Sequence, residues 1–170
     1  MRRYDSPPIS RLVTLAAAAL LTMASACTAD GPLFEPTPIQ NADRAVVYVY
    51  RPFTYFNSAD PDVSILYLDG NRLNRLRING YTRIEVEEGA HVITMRDSFF
   101  GVPASEGKEI AFEALAGDAY YFRYSEELGS VAYVYPYAYP IGREEFMRVP
   151  EQVAMQEILE TRYIPVEAPE

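Results

Sequence analysis

The stretch Ala45-Val46-Val47-Tyr48-Val49-Tyr50 is β-branched or aromatic at every position after the alanine. Such side chains fit a pleated backbone. A strand with one wet face alternates apolar and polar residues, whereas a run that is apolar on both faces belongs to a central strand covered on both sides. This segment alone predicts a sheet with protein packed above and below it.

Further strands follow on its C-terminal side. Val63 to Leu68 is another such run, closed by the hairpin signal Asp69-Gly70. Arg72 to Ile78 leads into a second hairpin signal, Asn79-Gly80. Thr82, Ile84 and Val86 then alternate with Tyr81, Arg83 and Glu85, and Glu88-Gly89 turns the chain into Ala90–Arg96. After a loop around Gly101–Gly107, Ile110, Phe112 and Ala114 alternate with Glu109, Ala111 and Glu113. Gly117-Asp118 is a turn before AYYFRY (Ala119–Tyr124), and VAYVYPY (Val131–Tyr137) closes the series. Seven or eight strands at about 8–12-residue spacing predict a mainly β fold, an antiparallel β-sandwich over residues 42–140. Residues 141–170 read as a C-terminal helix and tail. Pro150 suits a first helical turn, and Val153, Ala154, Ile158 and Leu159 recur at helical spacing to about Arg162, as in an amphipathic helix packed on a sheet.

The N-terminal residues have a different grammar. Three arginines lie within residues 1–11, the mostly apolar run Leu12–Met23 follows, and Ala24-Ser25-Ala26 precedes Cys27. A basic start, a short apolar centre and a small-residue junction form a signal peptide, here residues 1–26 with cleavage after Ala26. The apolar run is shorter than the roughly 20 residues that span a bilayer core. Cys27 is the only cysteine and stands at the first mature position. The junction resembles the lipobox of bacterial lipoproteins, with Ala24 where that motif usually has Leu. The resemblance implies a diacylglyceryl thioether on Cys27 and an acylated amino terminus, a permanent anchor at about 0.8 kcal/mol per buried methylene. Thr28, where an aspartate commonly signals inner-membrane retention, implies export to the outer membrane. From Cys27 to residue 41 the chain carries Pro32, Pro36 and Pro38 and reads as an extended Pro-rich linker, a spacer reaching about 40 Å.

Composition narrows the partners. The chain has 170 residues, one domain's worth, with 13% aromatic residues that include 14 Tyr and no Trp. Its formal charge is −9, and without residues 1–26 it holds 12 basic against 23 acidic groups, or −11. Such a chain has no electrostatic footprint for nucleic acid. Anionic headgroups would repel it, so a membrane attachment has to be covalent.

Four segments occur in a recognisable order: AVVYVYRP at 45–52, LYLDG at 66–70, GYTRIEVEEGAH at 80–91 and AGDAYYFR at 116–123. Together they resemble the domain-of-unknown-function family numbered 2846, found in bacterial lipoproteins and secreted proteins, over roughly residues 42–135. Tyr48, Arg51, Pro52, Asp69, Gly70, Tyr81, Gly89, His91, Gly117, Tyr120 and Tyr121 carry the pattern. The resemblance implies a compact β-sandwich like small extracellular carrier or adhesion modules. It implies no catalytic residue, because the family has no agreed activity.

Catalytic chemistry is sparse. His91 is the only histidine, and on its strand it shares a face with Ile93 and Met95, as a satisfied, half-buried side chain would. No G-x-S-x-G elbow surrounds a serine. One histidine and no free thiol do not make a zinc site. Glu87-Glu88, Glu126-Glu127 and Glu144-Glu145 are solvated pairs on strands or turns, and Asp60-Pro61-Asp62 lacks the spacing of a calcium loop. No catalytic residue, metal or cofactor is therefore expected. Tyr133, Tyr135, Tyr137 and Tyr139 recur at period two, which on one strand puts four rings on one face, but Pro136 and Pro140 interrupt that reading and suit an edge or a strand leaving the sheet. Exposed, that face is a candidate binding surface for an envelope protein or polysaccharide. Packed, it would meet Tyr120, Phe122 and Tyr124 across strands. The sequence thus predicts a lipid-anchored, non-enzymatic binding or assembly module of the cell envelope, facing the periplasm from the outer membrane. The contrasting expectation is an envelope hydrolase using His91 and nearby carboxylates.

Overall fold

A computed structural model describes residues 28–55, 64–99, 102–103 and 106–167. Its elements in chain order are β1 (Ala45–Arg51), β2 (Ser64–Leu68), β3 (Asn71–Leu76), β4 (Gly80–Val86) and β5 (Gly89–Arg96). The short pair β6 (Ser98–Phe99) and β7 (Val102–Pro103) comes next, then β8 (Lys108–Ala114), β9 (Ala119–Val134) and β10 (Tyr137–Val149). The helix α1 (Glu151–Ile158) and β11 (Arg162–Tyr163) complete them. Two sheets pack as a sandwich, one ordered β10-β9-β1-β4-β11 and the other β3-β2-β5-β8.

β1 lies at the centre of the five-stranded sheet and is buried along its whole length. Ala45, Val47 and Val49 face the other sheet and share a core with Leu66, Leu76, Ile93, Phe112 and Phe122. Val46, Tyr48 and Tyr50 face outward under Phe34, Val149, Ala154 and Ile158. The doubly apolar reading of AVVYVY is met by these two layers. β1 pairs antiparallel with β4 but parallel with β9, and β11 runs parallel to β4. The sandwich is mostly antiparallel, not wholly so.

The turns carry the backbone their residues favour, yet only one of the two hairpin signals closes a hairpin. Asp69 and Gly70 both have positive φ and join β2 to its neighbour β3. Asn79 also has positive φ, but the chain there leaves the four-stranded sheet at β3 and enters the five-stranded sheet at β4. Gly80 begins β4 where an added Cβ would meet the Arg77 carbonyl oxygen at 2.8 Å as well as Ile164 Cδ1 at 2.4 Å, and the backbone contact is the one that calls for a residue without a Cβ. AYYFRY and VAYVYPY do not form two strands. β9 runs unbroken from Ala119 to Val134 and returns as β10, which extends to Val149 and so occupies residues assigned above to the tail.

The helix spans Glu151–Ile158, with Ala154 and Ile158 buried. Val153 and Leu159, expected on its apolar face, are 39% and 48% exposed. Each neighbours a buried residue in sequence and is turned about 100° from it on a helix of 3.6 residues per turn. A helix this short is held by packing. Glu157 pins it, accepting from Tyr50 Oη at 2.7 Å and from Arg123 at 2.9 Å.

The Pro-rich segment is not a free spacer. Thr28 bridges Ile78, Leu33 bridges Arg162, and Phe34 donates its backbone N–H to Thr161. The Phe34 ring is buried edge-on against Tyr48 and Tyr81, at 5.5 and 5.1 Å. Burying such a ring contributes about 1.5–3 kcal/mol, enough to hold residues 28–34 on the sheet.

Candidate functional site

Ala26 and Cys27, with the whole signal-like segment, lie outside the described residues. Their neighbour Thr28 is placed. Its bridge to Ile78, with Ala29 donating to the Ile78 carbonyl at 3.0 Å, places Thr28 at one end of the sandwich. That end is where β1 finishes, because Arg51 pairs with Gly80, two residues after Ile78.

The tyrosines sit at the tip of the β9–β10 hairpin. Pro136 ends the run because proline cannot continue a central ladder, and the chain reverses between Val134 and Tyr137. Tyr137 is paired with Val134 and Ala138 with Tyr133. Directly paired residues share a face and neighbours alternate, so Tyr133 and Tyr137 lie on opposite faces, with Tyr135 in the turn. Tyr139 is paired with Ala132 on the returning strand. The single face of four rings is thus replaced by a two-sided tip. Tyr133, Tyr135 and Tyr137 are 81%, 98% and 64% exposed. Tyr120, Phe122 and Tyr124 instead pack inward against Phe112 and Phe146.

His91 lies in β5 near the opposite end. Its Nδ1 is 2.7 Å from Asp69 Oδ2 and its Nε2 is 3.0 Å from the Glu87 carbonyl, while its ring leans on Phe112. Partial burial pulls its pKa down, but the Asp69 hydrogen bond, the Glu87 carbonyl and the Asp69 and Glu113 charges outweigh it, so the net direction is up. Burial likewise opposes ionisation of Asp69, and bonds from His91 and the Val92 N–H override it, so its net direction is down. Both ring nitrogens are engaged by oxygen partners, so neither is directed toward a substrate.

The carboxylates of the acidic pairs are largely engaged too. Glu126 is in an ion pair with Arg51, Glu144 with Lys108, Glu145 with Arg123 and Arg143, and Glu87 with Arg44. Asp60 and Asp62 lie outside the described residues. Among the described residues no group of three or more His, Cys, Asp and Glu converges as a metal site.

One recess was not legible in the sequence. Tyr48 and Tyr121 stack face to face at 5.1 Å, and with Phe34, Pro38, Glu151 and Met155 they line a hollow of about 330 Å³. Burial, with the nearby Glu151 charge, pushes the Tyr121 phenol up to about 12. The hollow offers flat aromatic area with one carboxylate at its rim. Its walls come from the N-terminal segment, two strands and the helix, and no local pattern could have joined them.

These features define a two-sheet β-sandwich module with an exposed aromatic hairpin. Residues 41–137 match the family described as "Protein of unknown function (DUF2846)", and the chain belongs to it. The matched region stops at Tyr137, the first residue of β10, so the rest of that returning strand and the helix lie beyond it. No curated protein and no solved structure matches the chain.

Proposed function

We propose that the chain is a lipid-anchored lipoprotein of the cell envelope, exported to the outer membrane and facing the periplasm. Its domain acts there as a non-enzymatic binding or assembly module, making contact through the exposed tyrosine hairpin. The observation that carries this reading is the lone Cys27, placed directly after an apolar run and a small-residue junction. The docking of Thr28 on Ile78 supports it in one respect: a lipid on Cys27 would emerge at the end of the sandwich without a spacer. The hydrolase alternative would require His91 to release Asp69 or the Glu87 carbonyl before it could accept a proton.

The test is metabolic labelling with a clickable fatty acid, followed by membrane fractionation of the wild type and Cys27→Ser. Acyl label and membrane association in the wild type, both lost in the variant, are the expected result. An unlabelled wild type, or a variant still in the membrane fraction, would overturn the assignment.

A further inference from the structure

We propose that the end of the sandwich where β1 finishes is a membrane-facing surface. Phe53, Tyr55, Tyr133, Tyr135 and Tyr137 seat there at the headgroup–acyl boundary of a zwitterionic leaflet, beside the lipid on Cys27. This names the contact made by the hairpin described above and rests on the anchored reading.

The sequence supplies the first observation. Leu128–Gly142 is a run of 15 residues without Asp, Glu, Lys, Arg or His, the longest uncharged run after Asp30. The next longest, at 52–59 and 98–105, have eight residues each. The topology brings the described parts of all three, Pro52–Tyr55, Ser98–Phe99 with Val102–Pro103, and Leu128–Gly142, to one end. β1 ends at Arg51 immediately before the first of these runs. Ser98–Phe99, paired with Val102–Pro103, follow Arg96, which is level with Ile65 at the start of β2. Hydrogen bonds tie these ends together, since Asp97 accepts from both Ser64 and Tyr124. β9 runs parallel to β1 and level with it, Tyr50 beside Arg123, so its remaining residues project past the same end. Thr28 leaves there too, at Ile78. Neighbouring strands are about 4.8 Å apart, so β4 and β9, on either side of β1, run roughly 10 Å apart, and Thr28 and the base of the hairpin leave the same end of the sheet.

Charge distribution gives the second observation. The two legs of the hairpin become charged at one rung, where Glu127 is paired with Arg143, and beyond it neither leg carries a charge. Exposed apolar area lies on the body as well as the arm: Phe53 and Tyr55 are 50% and 93% exposed, with ring centroids 6.0 Å apart. The opposite end carries more acidic than basic groups, Asp43, Asp69, Glu87, Glu88 and Asp118 against Arg44, which pairs with Glu87, and His91, which pairs with Asp69. A sandwich this polarised turns its aromatic end to lipid and its acidic end away.

Length and hydrogen bonding set the depth. The uncharged outgoing leg, Leu128 to Val134, is about 20 Å long at the rise of a strand. That is short of the 9–11 residues with which a β-strand crosses a bilayer. The outer edges of the arm also carry main-chain groups that no neighbouring strand pairs, and the hydrocarbon core does not admit open edges. The arm therefore passes the headgroups and stops at the boundary, the level at which tyrosines collect.

The experiment uses the processed full chain reconstituted in phosphatidylcholine vesicles. It carries one environment-sensitive maleimide probe at Tyr135→Cys, at Ser130→Cys lower on the arm, or at Asp118→Cys at the acidic end. A lipidated Cys27 has no thiol, so mass spectrometry should count one label per chain. The expected emission is most blue-shifted at 135, less at 130 and water-like at 118, with the first two quenched by shallow spin-labelled lipid. One label with a water-like probe at 135 would overturn the membrane contact and leave the anchor standing. A blue-shifted probe that lipid quenchers do not reach would also overturn it, in favour of a second copy or another protein. Two labels would show a free Cys27 and remove the anchored reading, and this proposal with it.

Discussion

Arg51 and Glu126 form an ion pair at the root of the β9–β10 hairpin, with the Arg51 side chain 1% exposed and that of Glu126 10% exposed. The guanidinium also lies 5.5 Å from the Tyr124 ring centroid, and the backbone of Glu126 accepts from Thr54 at 3.0 Å. This pair joins the end of the central strand to the point where the arm leaves the sheet.

Removing one partner of a buried pair takes away part of what compensates the burial of the other's charge, at a cost of up to about 3–5 kcal/mol. Glu126→Gln should lower unfolding stability by about 3 kcal/mol, read as a drop in the urea midpoint. The double variant Arg51→Met/Glu126→Leu should recover part of that loss, because the Arg51–Glu126 pair no longer has to be desolvated. A single variant as stable as the wild type would mean that water reaches the pair.

Phe34→Ala tests whether the N-terminal segment belongs to the fold. The ring is 4% exposed between Tyr48 and Tyr81, and truncating a buried phenylalanine costs about 3–5 kcal/mol. The loss should come with faster amide exchange at Thr28–Phe34 and at Arg162–Tyr163. A true spacer would show neither change.

The His91–Asp69 pair gives stability a defined pH dependence. The His91 pKa is raised in the fold, so its contribution is full below the ordinary value of 6.5 and fades as pH rises through the raised value. The Asp69 pKa is lowered, so its contribution is full above 3.8 and fades as pH falls through the lowered value. His91→Gln should therefore be most destabilising between pH 3.8 and 6.5. The amount should be about 0.5–1 kcal/mol, since Asp69 is partly solvated. The lone imidazole makes the check direct: its NMR titration midpoint should lie above 6.5 in the folded protein.

Tyr135→Ser should leave unfolding stability within about 0.5 kcal/mol, as expected for an exposed side chain. The ring is 98% exposed and contributes no buried area to the core. A larger loss, measured by urea unfolding, would mean that the tip is part of the folding unit and not an appendage.

Local chemistry by itself determined the β character of this chain, most of its strands and the backbone of its turns. Val46 to Tyr50 could be read as a strand covered twice because β-branching and doubly apolar faces are properties of adjacent residues. Asp69, Gly70 and Gly117 could be read as turns because positive φ is a one-residue property. Pairing was decided only in three dimensions. Asn79-Gly80 has the residues of a hairpin yet carries the chain between sheets, since a turn sets local direction and leaves the partner strand open. The same reason hid the parallel pairing of β1 with β9, whose strands are separated by most of the domain. The tyrosine period was visible, but Pro136 and the register of the returning strand divided its rings between two faces. The gathering of aromatic ends beside Thr28 followed from the topology, because surface polarity at one end of a sandwich is a sum over segments distant in sequence.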